Sequence, residues 1–586
     1  MSNHSLSKIF SDIALYLEMD KVPFKPQAYE KAALALEALG EDAADIYQKS
    51  GLSGLEAIEG VGESIAEKIE EYVKTGKIKY YQELKKKMPV DVQALTSVEG
   101  LGPRMVRELY EKLKIKNLAD LEKAAVSGKI GKLPRFGVKS EQNILRAIEF
   151  LKRDRGRFNL GMIYPFVEET QKKLAERKEV KCVSPAGSLR RMKETIGDID
   201  FLVCLKENKS PLKAKAMAAS TMDFFVSLPG VVKIWDKGLT KSSVHMESGF
   251  DMDIRVIPAK SYGAALQYFT GSKEHNIALR KIAISKGLKL NEYGLFRGKK
   301  TIACETEREI YRALGMSLMP PEIRENQGEI ELAQKNKIPR LIEYDDVKGD
   351  LHCHSNWDGG SNSIEEMAQA AREMGYQYIG IADHTKFLRI ENGLDERQLA
   401  RQRKETDKLN ALFAGKKTGF RILQGCEANI MPDGSVDITD EALGKLDYVI
   451  AGVHSRMKMP KSQMTERIIR AMKNPHVDII SHPTGRSLGK RDEYAHDLGK
   501  ILRAAREYNV ALEINGSPWR LDLKDSNIRL AKKAGVKMII NTDSHQKEHL
   551  KFMKYGVSQA RRGWAEKEDI INSRTVNDLL RFFKNS

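Results

Sequence analysis

Five cysteines in 586 residues (Cys182, Cys204, Cys304, Cys353 and Cys426) are too few and too scattered for a disulfide framework, and none has the CxxC spacing of a thiolate zinc ribbon. Only 18 residues are proline while 41% are hydrophobic, which excludes a disordered or low-complexity chain. No apolar run approaches the roughly 18 residues that a bilayer span needs. The opening MSNHSLSKIF also lacks a basic segment followed by an apolar one. A soluble, cytoplasmic protein with no membrane partner is expected. The length demands several folded units. Acidic residues are the minority charge: 98 Lys and Arg against 81 Asp and Glu leave +17. Residues 1–100 carry −5, residues 101–300 carry +18 and residues 351–586 carry +8. A polyanion such as the DNA backbone is therefore expected along 101–300.

Helical periodicity opens the chain, in Ile9-Ile13-Leu17 and again through Tyr29, Leu34 and Leu36. Within this region Leu55-Glu-Ala-Ile-Glu-Gly60-Val61-Gly62 precedes an amphipathic run, and Leu95-Thr-Ser-Val-Glu-Gly100-Leu101-Gly102 repeats the pattern about 40 residues later. A weaker third copy is Leu133-Pro-Arg-Phe136-Gly137-Val138. Helix, Gly-apolar-Gly turn and second helix expose backbone N–H groups to phosphate, so Gly60, Gly62, Gly100 and Gly102 are expected to meet DNA without reading its sequence.

From about residue 180 short strands take over. Asp198 and Asp200 in Gly197-Asp-Ile-Asp share one face of an extended strand, and Asp253 stands on a later alternating strand. Three such carboxylates suit two divalent ions and in-line phosphoryl transfer. Ser188 and Arg191, in Gly187-Ser-Leu-Arg-Arg191, sit at a turn suited to a triphosphate, and Tyr268-Phe-Thr-Gly-Ser272 follows. A solvated Asp-x-Asp would be the reading of that pair alone; the company it keeps argues otherwise.

Beyond an acidic, turn-prone stretch at 320–347, seven apolar strand-like runs alternate with helices, the pattern of a (βα) barrel. Nine of the 12 histidines follow residue 350. His352, His354, His384, His454, His482 and His545 recur after strand-like runs, with Asp358, Glu427 and Asp543 in register. Imidazole and carboxylate without thiolate suit Zn²⁺, Mn²⁺ or Fe²⁺, and nine ligands could hold three ions. His476, His496 and His549 fall in polar stretches and receive no metal role, and Cys353 is assigned to packing.

Residues 1–320 resemble family X DNA polymerases of the polymerase beta type, and residues 348–586 resemble the polymerase and histidinol phosphatase (PHP) domain. The order of the two resembles the bacterial and archaeal form. The resemblance implies N-terminal all-α helix-hairpin-helix domains (1–85 and 86–152), an α+β nucleotidyltransferase palm (153–258), a nucleotide-selecting subdomain (259–320), a linker (321–347) and an α/β distorted seven-stranded PHP barrel. It implies Mg²⁺ or Mn²⁺ on Asp198, Asp200 and Asp253, and nucleotide phosphates on Ser188 and Arg191. Tyr268, Phe269 and Gly271 would line the sugar pocket, with Asn276 at the minor groove and Arg280 toward the template. The nine later ligands would form a trinuclear phosphoesterase site, with Arg486 or Arg456 holding phosphate. One departure is Asp251, where vertebrate relatives carry a basic residue. Another is Ser64, where close relatives carry a lysine beside the Schiff-base lysine matched by Lys68, which predicts weak lyase activity. The implied protein is a monomeric, nucleoid-associated repair polymerase with 3′ to 5′ exonuclease and abasic-site endonuclease activity, acting on gapped or nicked DNA, 3′ ends, abasic sites and deoxynucleoside triphosphates. The competing readings are a DNA-end-binding scaffold with a weak polymerase and a structural PHP domain, and a small-molecule phosphatase fused to a DNA-binding module.

Overall fold

The protein was described from a computed structural model that covers all residues except 1–2, 39–41, 59, 99–100, 154–155, 415–418 and 585–586. The chain forms two compact units, residues 1–155 with 489–491, and residues 156–488 with 492–586. No helix among the described residues is long and apolar enough to cross a membrane.

The named secondary-structure elements of the first unit, from Asn3–Met19 to Val138–Arg153, are all helices. In the first hairpin Val61 N–H bonds Ile58 C=O and Ala66 N–H bonds Gly62 C=O; in the second, Leu101 bonds Val98 and Val106 bonds Gly102 in the same way. The repeated sequence thus produces a repeated backbone. Gly62 and Gly102 each precede a helix, Glu63–Thr75 and Pro103–Leu113. The expected boundary at residue 85 does not separate two cores. Phe10, Ile13, Leu55 and Ile69 share one apolar cluster with Leu95, Val106 and Leu109, and Tyr16 reaches across to donate to Val90 C=O at 2.9 Å.

In the second unit the palm is a five-stranded sheet. Its strand order is Val180–Pro185, Asp198–Leu205, Asp251–Ile257, Lys241–Met246 and Val231–Lys237. The two central strands run parallel, pairing Asp200 with Asp253 and Asp198 with Asp251. Helices Tyr262–Thr270 and Lys273–Ser285 and a small three-stranded sheet follow.

The PHP half holds two parallel sheets, of three and five strands. All seven expected strand regions are present. An eighth, Glu427–Asn429, carries a site carboxylate and was missed because it is only three residues long. Isolated bridges Cys353–Ser544 and His384–Glu427 join the sheet edges.

The stretch expected as a linker is packed rather than open. Its Arg324 is fully buried, donating to Met319 C=O at 2.9 Å and paired with Glu307, while Ile323, Ile330, Leu341 and Ile342 are buried. Arg561 of the PHP half ion-pairs Glu322 at 2.8 Å, and Tyr555 packs edge-on against Tyr164 of the palm. Charge in this stretch reads as solvated in sequence, and Glu331, Lys335, Lys337 and Asp345 are exposed, yet Glu322, Arg324 and Glu329 are enclosed.

Candidate active sites

In the palm, a short helix at Gly187–Arg190 sets the edge of the aspartate site. Gly187 has φ +61°, and a Cβ there would lie 2.8 Å from Asp200 Oδ2, so both conformation and space demand glycine. Burial, then the Asp198 and Asp253 carboxylates, push the Asp200 carboxyl up to about 7. That is the electrostatic strain a cation would relieve, so these three residues fit a divalent ion. Lys241 Nζ contacts Asp253 Oδ2 at 2.9 Å. Asp251 faces elsewhere in its bonding: it accepts from Trp235 Nε1 at 3.0 Å and lies 2.7 Å from His245 Nδ1. Burial raises its carboxyl, but those two contacts outweigh burial and hold it below the usual range.

Around this site Arg191 is pinned by the Thr270 carbonyl and by Glu325 at 3.1 Å, and Ser188 is half-buried. Tyr268 and Phe269 pack edge to face at 5.1 Å, with Arg255 over Phe269. Gly271 places a would-be Cβ 3.1 Å from Arg191. Asn276 donates to Tyr268 C=O at 2.6 Å and accepts from Gln267 at 2.7 Å. Arg280, one turn on, is half-buried on the same helix. Arg190, to which no role was given, forks onto Glu307 at 2.7 and 2.9 Å.

In the helical unit a Cβ at Gly62 or Gly102 would meet nothing within 4 Å, so both present open backbone. Gly60 turns through φ +84°. Gly100 lies outside the described residues. Lys68 donates to Ser64 C=O at 2.8 Å and to its hydroxyl at 3.0 Å, and partial burial lowers its pKa despite Glu67 and Glu71.

The residues expected as PHP ligands are assembled at strand ends. His352 and His354 bracket the end of Gly349–Cys353, His454 follows Ile450–Gly452, His482 follows Ile479–Ile480, and Asp543 and His545 follow Met538–Asn541. Glu427 lies at the centre. Its Oε1 is 3.0 Å from His482 Nε2 and 3.2 Å from His454 Nε2, and its Oε2 is 2.9 Å from His384 Nδ1 and 3.3 Å from His352 Nε2. His354 Nε2 stands 3.4 Å from Asp543 Oδ1, and its ring stacks on His545 at 4.1 Å. Among the described residues, the groups of three donors within 4.8 Å of one another are His354-His384-His545, His352-His354-Asp543, His384-Glu427-His454 and His354-Asp358-Asp383. The palm aspartates form no such group.

The donor set fits metal for a specific reason. His352 Nε2, His354 Nε2, His384 Nδ1, His454 Nε2 and Glu427 Oε2 are all buried without a hydrogen-bond partner, a costly arrangement unless a cation meets them. The outward nitrogens are occupied by orienting partners: His352 Nδ1 by Glu513 at 2.6 Å, His354 Nδ1 by Asp358 at 2.7 Å and His454 Nδ1 by Asn429 at 2.8 Å. Asp543 and His482 adopt positive φ, +57° and +27°, strain that the surrounding fold sustains. Gly452 leaves room, since a Cβ there would meet Glu427 Oε1 at 2.8 Å.

Asp358 therefore bonds His354 and the His384 N–H as well as facing the cluster. Glu513, Asp383 and Asn429 were not anticipated, although a glutamate within the apolar run Val510–Ile514 was a visible signal. Arg486 is buried, and its Nη2 pairs with Glu194 of the palm at 2.7 Å and donates to Leu521 C=O, while its Nε has no hydrogen-bond partner. Arg456 is exposed. Arg520, 3.3 Å from Asp543, is the arginine beside the cluster.

Four family models match this chain: a helix-hairpin-helix domain at 1–78, a SAM-like helix-hairpin-helix tandem at 92–149, the DNA polymerase beta thumb at 265–325 and the PHP domain at 350–517. The chain is 36% identical over 589 residues to the DNA polymerase/3′-5′ exonuclease PolX of Bacillus subtilis (strain 168), covering 100% of both. This chain belongs to the PolX family. Its PHP half is also 32% identical over 209 residues to a probable phosphatase of Caldicellulosiruptor bescii, covering 34% of this chain and 80% of that protein. A ternary complex of Leishmania infantum polymerase beta, 25% identical, matches 40% of this chain and 97% of its own at a TM-score of 0.27, too low to argue from. As a PolX family member the protein joins helix-hairpin-helix domains, a polymerase beta-like palm and thumb, and a PHP domain, and the PHP half holds donor groups suited to metal.

Proposed function

We propose that the protein fills short gaps during base excision repair, with DNA-directed nucleotidyl transfer in the palm and 3′ to 5′ exonuclease in the PHP half, where abasic-site cleavage is a further activity. The observation that carries this reading is the presence of an aspartate pair in register, Asp200 and Asp253, in the same compact unit as a buried cluster of unpartnered histidine and glutamate atoms. Divalent ions, Mg²⁺ or Mn²⁺ in the palm and up to three of Mn²⁺, Zn²⁺ or Fe²⁺ in the PHP half, supply Lewis acidity toward phosphate oxygens.

Asp198, Asp200 and Asp253 hold the palm ions, and Asp200 is the carboxylate most dependent on them. Ser188 and Arg191 receive the triphosphate; Tyr268, Phe269 and Gly271 shape the sugar pocket; Asn276 and Arg280 face the nascent pair and template. His352, His354, Asp358, His384, Glu427, His454, His482, Asp543 and His545 are the PHP ligands, with Arg520 and Arg456 available to phosphate. Gly60, Gly62, Gly100 and Gly102 bring backbone to gapped or nicked DNA, and the protein works as a cytoplasmic, nucleoid-associated monomer.

A gapped primer incubated with Mn²⁺, with and without deoxynucleoside triphosphates, tests the assignment directly. Extension at the wild-type rate by Asp198→Ala/Asp200→Ala would remove the palm assignment. Lys68 acts as a weak lyase nucleophile; borohydride trapping undiminished in Lys68→Ala would take it out of that role. The match to phosphatases favours one second reading, phosphomonoester hydrolysis at the PHP site. Faster phosphate release from histidinol phosphate than nucleotide release from a 3′ end would support that alternative.

A further inference from the structure

Palm and PHP half meet at one enclosed carboxylate. Glu325, 14% exposed, offers one oxygen to three cations: Arg191 Nε at 3.1 Å, Arg562 Nη1 at 3.1 Å and Lys193 Nζ at 3.7 Å. Arg562 belongs to the PHP half, at the end of helix Met553–Arg562, and its side chain is 3% exposed. It also donates to the backbone carbonyls of Arg191 at 2.9 Å and Glu322 at 3.3 Å, and its Nη2 pairs with Asp525. Arg191 in turn has Nη1 on the Thr270 carbonyl and Nε on Glu325. Nη2 is the part of its guanidinium without a hydrogen-bond partner among the described residues. An arginine of the nuclease half thus grips both the backbone and the carboxylate that orient an arginine of the polymerase half.

We propose that Arg562 is a positioning residue for nucleotide binding: through Glu325 and the Arg191 carbonyl it holds the Arg191 guanidinium so that Nη2 faces the incoming triphosphate. This rests on the reading of Arg191 as a phosphate contact. A free arginine side chain loses considerable rotamer freedom when it binds phosphate, and a fork already fixed on two sides has lost it beforehand. Such preorganisation acts on ground-state affinity more than on the chemical step, so it is read in KM.

The test uses the full chain on gapped DNA. Arg562→Gln is expected to raise KM for deoxynucleoside triphosphate about five- to tenfold while leaving kcat within about twofold. KM for gapped DNA and the 3′ exonuclease rate stay at wild-type values. Arg562→Lys, which keeps charge but not the fork, falls between. Glu325→Gln raises KM in the same way, and Arg562→Gln/Glu325→Gln is no worse than either single change, because the two residues act in series. Arg191→Gln separates the two layers. If it raises KM while both Arg562 variants and Glu325→Gln leave KM within twofold, Arg562 has no positioning role. If Arg191→Gln itself leaves KM unchanged, the phosphate reading of Arg191 fails and the proposal with it. A uniform fall in kcat, exonuclease rate and melting temperature in every Arg562 and Glu325 variant would make Arg562 structural only and overturn the proposal.

Discussion

In the PHP half, donors from the ends of many strands converge on Glu427, whereas in the palm three aspartates from two adjacent strands stay apart and Asp253 leans on Lys241. Donor chemistry explains the difference. Imidazole rings pack face to face or edge to face, as His354, His545, His384 and His454 do at 4.1–5.3 Å, with carboxylates beside them. Three carboxylates share one sign of charge: burial first, and then the Asp198 and Asp253 carboxylates, raise the Asp200 carboxyl to about 7. The first site is therefore largely preformed.

The largest expected effects test whether the two sites are independent. His352→Ala/His354→Ala should reduce release of 3′ nucleotides at least about a thousandfold while primer extension persists, and Asp198→Ala/Asp200→Ala should do the converse. Loss of both activities in either variant would show that the sites do not work separately. A smaller effect, about 10- to 100-fold on exonuclease rate, is expected for Glu513→Gln, which loosens the orientation of His352. Gly452→Ala should match it, whereas Gly62→Ala leaves exonuclease on a short single strand unchanged because open space surrounds its Cβ. Equal losses in Gly452→Ala and Gly62→Ala would contradict the crowding argument.

Stability sharpens the comparison on the polymerase side. Burial raises the Glu307 carboxyl, but Arg324 and Arg190 outweigh burial and bring it down to about 2 from an ordinary value of 4.5. The stabilisation this gives, about 3 kcal/mol, is present above pH 4.5 and lost as pH falls from there toward 2. Glu307→Gln should lower stability to urea by about that amount at pH 7 and flatten its pH dependence across that window; an unchanged profile would show that the pair contributes nothing. The smallest effect is expected for Asp251→Asn. Its carboxylate is occupied by Trp235 and His245, so the single-nucleotide insertion rate should stay within about twofold, and a tenfold change would place Asp251 in the metal site.

Much of this was legible because the signals are local. Period-two alternation put Asp198 and Asp200 on one face, and the recurrence of histidine after apolar runs marked the residues that cluster around Glu427. The repeated Gly-apolar-Gly turns predicted two hairpins whose backbone hydrogen bonds coincide. Glu427–Asn429 escaped as a strand because three residues carry no periodicity. The contact of Arg486 with Glu194, almost 300 positions away, left no mark in the sequence, because an arginine near histidines reads alike with or without such a partner.

By itself the sequence determined which donors are present, how they are spaced along each element and therefore which chemistry each half can support, since these depend on residues within a few positions of one another. Only the tertiary structure decided which donors meet, that Glu427 is their centre, that Glu513 and Asn429 aim them, and that Arg562 reaches Glu325. Those outcomes depend on packing between segments tens to hundreds of residues apart, for which side-chain periodicity carries no information.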